Sequence, residues 1–96
     1  MSARAPEKID LSKYIETHIF GERPHIRGRR IPVANIVRRA QFNHWTVAET
    51  AYDFSISGAE VLAAMLYYEE HQEEIDRQEA REAEAFETMK QLNDKD

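Results

Sequence analysis

The chain has 96 residues, enough for one small domain, and a domain of this size buries only about 60% of its unfolded surface. It contains no cysteine, which excludes disulfides and thiolate metal sites. Its N-terminal residues lack the apolar core of a secretion signal, and no apolar run approaches the ~20 residues that cross a bilayer. We therefore expect a cytoplasmic protein.

The formal net charge of −5 is unevenly distributed. Residues 1–48 contain nine basic and four acidic side chains, a sum of +5, whereas residues 49–96 contain four basic and fourteen acidic ones, a sum of −10. The most basic stretch contains six arginines and no acid: Arg23, Arg27, Arg29, Arg30, Arg38 and Arg39. This asymmetry predicts a polyanionic or acidic partner for the first half.

The chain begins with a predicted flexible N-terminus at residues 1–8. Apolar residues without a clear period then indicate a short helical turn near Leu11–Glu16 and a short strand near His18–Phe20. Glycine and proline punctuate residues 21–33, which predicts an extended or hairpin-like arm with positive φ at Gly28.

A first helix should follow Pro32, which cannot donate to a sheet and therefore ends any strand pairing. An apolar stripe at helical spacing supports this helix: Val33, Ile36, Val37 and Ala40. Arg38 and Arg39 fall on opposite flanks of its polar face, and Asn43 and His44 end it.

Two capping boxes, Thr46 to Glu49 and Ser57 to Glu60, predict a short helix near Thr46–Phe54 and a long helix from Ser57. The two form a helix–turn–helix-like pair. The long helix should bury apolar side chains at six positions: Val61, Leu62, Met65, Leu66, Tyr68 and Ile75.

The expected fold is mainly α, with a short N-terminal β-hairpin or extended arm. It is a helix–turn–helix-like, or winged-helix-like, small domain at residues 9–78, with an acidic helical tail at residues 79–96 that extends the long C-terminal helix.

The arginine cluster is the main candidate site. Arginine offers a planar, permanently charged donor fork that matches phosphate and carboxylate, so these six side chains could contact a DNA backbone. Alternatively, they pair with acids of this domain or of a second copy. The second helix of the pair is acidic, so any DNA contact should fall to the arm and the first helix.

The tail is a candidate partner-binding segment. Its apolar residues recur every three positions, and an amphipathic helix of this type can dock in a groove on another protein. The partner-binding candidates are Arg77, Arg81, Phe86, Met89 and Leu92. The alternative is a solvated helix without a partner.

Catalytic and metal chemistry are not indicated. The four histidines, His18, His25, His44 and His71, lack metal-ligand spacing. No nucleophile–base set or phosphate-binding glycine loop is visible. Trp45 could be a stacking platform or a core residue. We expect no enzyme activity, cofactor, metal or small-molecule substrate.

Four segments of residues 9–80 carry a family resemblance: LSKYIE at Leu11–Glu16, RPHIRGRRIPV at Arg23–Val33, the TVAE box, and AAMLYYEEHQEEID at Ala63–Asp76. Together they resemble the antitoxin-like domain-of-unknown-function family four-three-three. Arg29 stands where threonine is commoner, and Gly21-Glu22 where paired glycines are common.

The resemblance implies a VapB-type antitoxin with a helix–turn–helix-like fold, often dimeric, and a PIN-like ribonuclease toxin as partner. The arginine arm would bind operator DNA or the toxin, and the segment Glu79–Leu92 would inhibit the toxin. The alternative function is a self-assembling structural protein with no nucleic-acid role, whose arm would pair with acids of the other copy: Glu69, Glu70, Glu73 or Glu74.

Overall fold

The computed structural model describes residues 10–17 and 23–94, with side chains as far as Leu92. The N-terminus at 1–8 and the strand expected at His18–Phe20 lie outside the described residues. The elements are a 3₁₀ helix at Leu11–Lys13, strands β1 (Ile15–Glu16) and β2 (His25–Ile26), and helices α1 (Val33–Asn43), α2 (Val47–Phe54), α3 (Gly58–Glu70) and α4 (Gln72–Asp94). The predicted fold class is confirmed: mainly α, with a short N-terminal hairpin and a long C-terminal helix.

The basic arm is part of a hairpin. Strands β1 and β2 pair antiparallel, with Ile15 opposite Ile26. Both side chains are almost fully buried, so the hairpin is anchored in the core. Gly28 lies in the turn after β2 with φ of 81°, which confirms the predicted positive φ.

Pro32 ends the pairing as predicted. It forms an isolated bridge with His25, and Val33 N–H donates to Pro24 O at 2.9 Å. The proline nitrogen carries no hydrogen, and this bridge does not require it as a donor. The chain can therefore pass directly from the arm into α1.

Helix α1 buries the predicted stripe. Four of its apolar side chains are no more than 7% exposed: Val33, Ile36, Val37 and Ala40. The helix ends at Asn43 because His44 adopts a left-handed conformation, with φ of 55°, and its N–H bonds back to the helix. Both the stripe and the end of this helix were predicted correctly.

Both predicted capping boxes are present. Thr46 Oγ1 accepts from Glu49 N–H at 3.1 Å, and Glu49 Oε1 accepts from Thr46 N–H at 2.8 Å. The pair Ser57 and Glu60 repeats this arrangement at the same distances. These caps start α2 and α3, which a three-residue link joins.

The prediction of one long helix from Ser57 is wrong, because the helix breaks at His71. There the backbone leaves helical geometry, with φ of −129° and ψ of 30°. The imidazole stacks on the Tyr67 ring at 4.0 Å between centroids, and its Nδ1 lies 3.0 Å from Tyr67 O. His71 therefore caps α3, and its own carbonyl accepts from Ile75 N–H in the first turn of α4.

The core joins the hairpin to α1, α3 and the start of α4. Helix α3 turns Val61 and Ala64 inward, both 0% exposed, whereas Leu62 is 56% exposed. The prediction of a buried Leu62 is wrong because at ~100° per residue it points away from this inward face. Ile75 is 2% exposed, as predicted, and Met65, Leu66 and Tyr68 are half-buried.

Helix α4 has two parts. Its first turns reach the core through Ile75 and keep Gln78 and Glu79 partly covered. From Ala80 to Leu92, every side chain is exposed. The helix runs without a break through residues 78 and 79. Among the described residues, none of the helices is both long and apolar enough to cross a membrane.

Candidate functional site

The six candidate arginines lie around the arm and α1, and most of them contact carboxylates of the same chain. Five have a carboxylate oxygen within 4.0 Å: Arg23, Arg27, Arg29, Arg38 and Arg39. Arg30 lines a shallow pocket together with Arg23 and Glu82. The fold therefore brings carboxylates to most of these arginines, although their own stretch of sequence contains none. The acids are distant in sequence, and only the fold brings them to the arginines.

Glu79 of α4 bridges two arginines. Its Oε2 lies 2.9 Å from Arg23 Nη1, and its Oε1 lies 3.3 Å from Arg38 Nη1. The Glu79 side chain is only 16% exposed. One carboxylate thus joins the arm, α1 and α4. Beyond Glu79, every side chain of α4 as far as Leu92 is exposed.

Glu16 of β1 makes a second cluster at the hairpin. Its Oε2 lies 3.3 Å from Arg27 Nη1, and its Oε1 lies 3.5 Å from His25 Nε2. Arg27 Nε also donates to Ser12 O at 2.9 Å. Arg27 therefore ties the turn to the 3₁₀ helix, which is a structural role.

Two longer contacts connect the arm and α1 to the helix pair. Arg29 Nε lies 4.0 Å from Glu60 Oε2, and Arg39 Nη2 lies 3.7 Å from Asp53 Oδ2. Arg39 also lies over the Phe54 ring, 5.6 Å from its centroid. Arg38 and Arg39 meet acids of different helices, because they occupy opposite flanks of α1 as the sequence predicted.

The paired arginines form a surface of mixed sign. Arg27, Arg29, Arg38 and Arg39 keep 43–63% of their side chains exposed, and Arg23 keeps 30%. Such exposed pairs are weak, about 0–1 kcal/mol, so each guanidinium can exchange its partner. Binding of DNA or another anion by these residues stays a prediction.

The alternative of pairing within this domain is the one that the contacts support. The four acids expected to meet the arginines of a second copy were Glu69, Glu70, Glu73 and Glu74. Within one chain, the observed partners are Glu16, Asp53, Glu60 and Glu79, and pairing with a second copy stays a prediction.

The five partner-binding candidates lie on α4. Phe86, Met89 and Leu92 are 66%, 62% and 66% exposed. At ~100° per residue, their three-residue spacing places them within an arc of about 120° on one side of the helix. Arg77 and Arg81 are also exposed, at the near end of the same helix.

Histidines and acids do not converge on a metal-binding group. Among residues 10–17 and 23–94, no set of three His, Asp or Glu side chains is arranged to hold a metal ion. His25 is buried beside Glu16, His44 ends α1, and His71 ends α3. His18 lies outside the described residues.

Two tyrosines connect α3 to α4. The Tyr68 hydroxyl donates to Asp76 Oδ1 at 2.9 Å. Burial raises the pKa of Tyr68, and its hydrogen bond and proximity to Asp76 raise it further. Burial, followed by the charge of Glu74, raises the pKa of Tyr67. The hydrogen bond between Tyr68 and Asp76 spans the break at His71.

The sequence interpretation missed a cleft between α1 and α2. It has a volume of about 760 Å³, and its lining includes Arg38, Arg39, Phe42, Asn43, Trp45 and Asp53. Phe42 is 83% exposed and Trp45 is partly buried. The available signal was the position of Phe42 outside the buried stripe of α1, which indicates an exposed aromatic ring.

The fold and its surfaces define a small, mainly helical domain with an anchored hairpin and an exposed C-terminal helix. The profile of the family described as Protein of unknown function (DUF433) matches residues 15–68, more than half of the chain. The chain therefore belongs to this family, as its motifs indicated. No curated protein and no solved structure matches the chain. The antitoxin role and the ribonuclease partner stay predictions.

Proposed function

We propose that the protein is an antitoxin-like binding protein whose helix α4 docks on a PIN-like ribonuclease and inhibits it. The observation that carries this proposal is that every side chain of α4 from Ala80 to Leu92 is exposed, with Phe86, Met89 and Leu92 on one face. A helix with an apolar face and no covering element is typical of helix-in-groove recognition.

Charge favours a ribonuclease as the occupant. Helix α4 carries eight acids against three bases from Gln72 to Asp94, a net charge of −5. A ribonuclease binds a polyanion, so its substrate surface is basic and complementary to an acidic helix. The family resemblance supplies the partner class.

Arg77 and Arg81 would have a separate task. Both lie on the part of α4 nearest the domain, and a PIN-like active site is a cluster of carboxylates that hold metal. A guanidinium can bind such carboxylates through two parallel hydrogen bonds. The apolar face would supply affinity, and these two arginines would block the active site.

The test is co-expression with a PIN-like ribonuclease encoded in the neighbouring reading frame, with bacterial growth and the dissociation constant as readouts. Met89→Asp places a charge on the docking face and should weaken binding at least tenfold, with loss of growth rescue. Gln91→Asp adds the same charge on the opposite side of the helix, at least about 100° from each of the three apolar residues, and should retain rescue. A chain ending at Ala80 should fold and fail to rescue.

Rescue of growth by Met89→Asp or by the chain ending at Ala80 would show that α4 does not take part in the interaction. Failure of the unaltered protein to bind the ribonuclease would overturn the proposed function as a whole.

A second candidate function is operator binding by a homodimer through the arginine surface. The specific observation in its favour is the 43–63% exposure of Arg27, Arg29, Arg38 and Arg39 despite their partners. The logarithm of the affinity should fall with the logarithm of salt concentration by about 0.9 per neutralised phosphate. No affinity for duplex DNA at low salt would remove this candidate.

The remaining alternative is a self-assembling protein with no nucleic-acid role. It predicts a stable oligomer in sedimentation experiments together with no affinity for duplex DNA and no inhibition of the ribonuclease. Ribonuclease inhibition that depends on Met89 would exclude it.

A further inference from the structure

The cleft between α1 and α2 combines aromatic, cationic and amide groups on one open surface. Phe42 presents an 83% exposed ring, and Trp45, partly buried, lines the same cleft. Arg38 and Arg39 line it as well, with 63% and 56% of their side chains exposed. Exposed aromatic rings beside guanidinium groups are the groups that proteins use to bind unstacked nucleotides.

Arg39 is held in position within this cleft. Its guanidinium lies 5.6 Å from the centroid of the Phe54 ring and 3.7 Å from Asp53 Oδ2. Asn43, whose Nδ2 donates to Arg39 O at 2.9 Å, also lines the cleft and can offer a ligand its side-chain oxygen and its second amide hydrogen. A guanidinium and a side-chain amide therefore line the same open cleft.

The charge of the cleft limits the size of the ligand. Two arginines face one aspartate, and Arg38 shares its charge with Glu79 3.3 Å away. Asp53 repels a second phosphate, but its oxygens can accept hydrogen bonds from a base amino group or a sugar hydroxyl. This balance of charges suits a ligand with one base and one phosphate better than the continuous phosphate backbone of a nucleic acid.

We propose that this cleft binds one nucleotide unit, with the base stacked on Phe42 and Trp45 and the phosphate on Arg38 and Arg39. The unit is either a free nucleoside monophosphate or one exposed nucleotide of a single strand. Duplex DNA, whose bases are stacked and paired, does not offer it. The site is independent of the proposed docking of α4 on a ribonuclease.

Trp45 is the only tryptophan of the chain and lines this cleft as well as a neighbouring pocket, so its fluorescence reports binding and the variants below assign the signal to the cleft. The probes are adenosine 5′-monophosphate, ribose 5-phosphate, a short single-stranded oligonucleotide and its duplex. The nucleotide and the single strand should quench Trp45 fluorescence to saturation. Ribose 5-phosphate and the duplex should not do so at equal concentrations.

Variants locate the site. Phe42→Ala removes an exposed ring without disturbing the core and should weaken nucleotide binding about fivefold or more. Arg39→Gln should remove most of the salt dependence of single-strand binding, which we expect to be a slope near −0.7 for one phosphate. The matched control is Tyr52→Ala, which removes an 88% exposed ring of α2 that lies outside the cleft. This variant should bind the nucleotide with the affinity of the unaltered protein.

Tighter binding of the strand than of the monophosphate would identify an exposed nucleotide in a strand as the ligand, and equal binding would identify the free nucleotide. Equal quenching by ribose 5-phosphate, no quenching by either nucleotide probe, or full binding by Phe42→Ala would overturn the proposal. Met89→Asp should bind nucleotide normally, so failure of this site and failure of the α4 interaction are distinguishable.

Discussion

The domain up to Glu79 and the rest of α4 differ in how far their side chains are paired or exposed. In the domain, five arginines lie within 4.0 Å of carboxylates that the fold brings from other elements. From Ala80 to Leu92, the side chains of α4 are all exposed, including three large apolar ones. The basic stretch of the sequence therefore forms ion pairs with acids of the same domain. The exposed apolar face lies instead on the C-terminal part of α4.

The largest expected difference between the two regions is in packing. Ile36→Ala, in the core and 0% exposed, should lower the free energy of unfolding by about 2–5 kcal/mol. Leu92→Ala, at 66% exposure, should change it by less than about 0.5 kcal/mol. Urea denaturation followed by circular dichroism measures both. A comparable loss from Leu92→Ala would mean that the end of α4 packs on the domain.

Helix capping gives the next largest effect. Thr46→Ala removes the side-chain acceptor for Glu49 N–H and should lower the free energy of unfolding by about 1 kcal/mol. Thr88→Ala, in the interior of α4, is the matched control and should not lower the free energy of unfolding, because alanine is the better helix former. The same urea titration applies, and an unchanged midpoint for Thr46→Ala would show that this box does not contribute to stability.

The Glu79 bridge should contribute less. Glu79→Gln leaves Arg23 and Arg38 without their shared carboxylate and should lower the free energy of unfolding by about 0.5–1 kcal/mol at low salt. The loss should shrink at high salt, where the interaction is screened. Glu84→Gln, on the exposed part of α4, is the control. A loss that is independent of salt would contradict an electrostatic role for this bridge.

The smallest expected effect concerns pH. The folded protein raises the pKa of Tyr67 above its ordinary value of 10.0, chiefly through burial, so the neutral phenol is favoured in the folded state. This stabilisation is complete below pH 10 and is lost as pH rises through the folded-state pKa. Tyr67→Phe should make the decline of stability in that range shallower than it is in the unaltered protein. An unchanged slope for Tyr67→Phe would contradict this linkage.

Features with local causes were predictable from the sequence. The stripe of α1, both capping boxes, the positive φ of Gly28 and the end of α1 at His44 each depend on residues within one or two turns. The helical tail was also predictable from local composition, because charged residues dominate this segment and its large apolar residues recur only at every third position.

Features that depend on distant residues were not predictable. Arg23 and Glu79 are 56 residues apart, so the pairing of the arginine cluster could not be deduced from a segment that contains no acid. The exposure of Leu62 depends on which face of α3 meets α1. The break at His71 depends on its ring lying against Tyr67, a contact without a sequence signature such as proline or glycine.

Amide hydrogen exchange, measured on the free protein and on its complex with the PIN-like ribonuclease, tests the contrast between the two regions most directly. We predict new protection at residues 80–92 on complex formation and little change at residues 23–39. New protection confined to residues 23–39, with none along α4, would contradict the account, because it would make the internally paired arginines the binding surface.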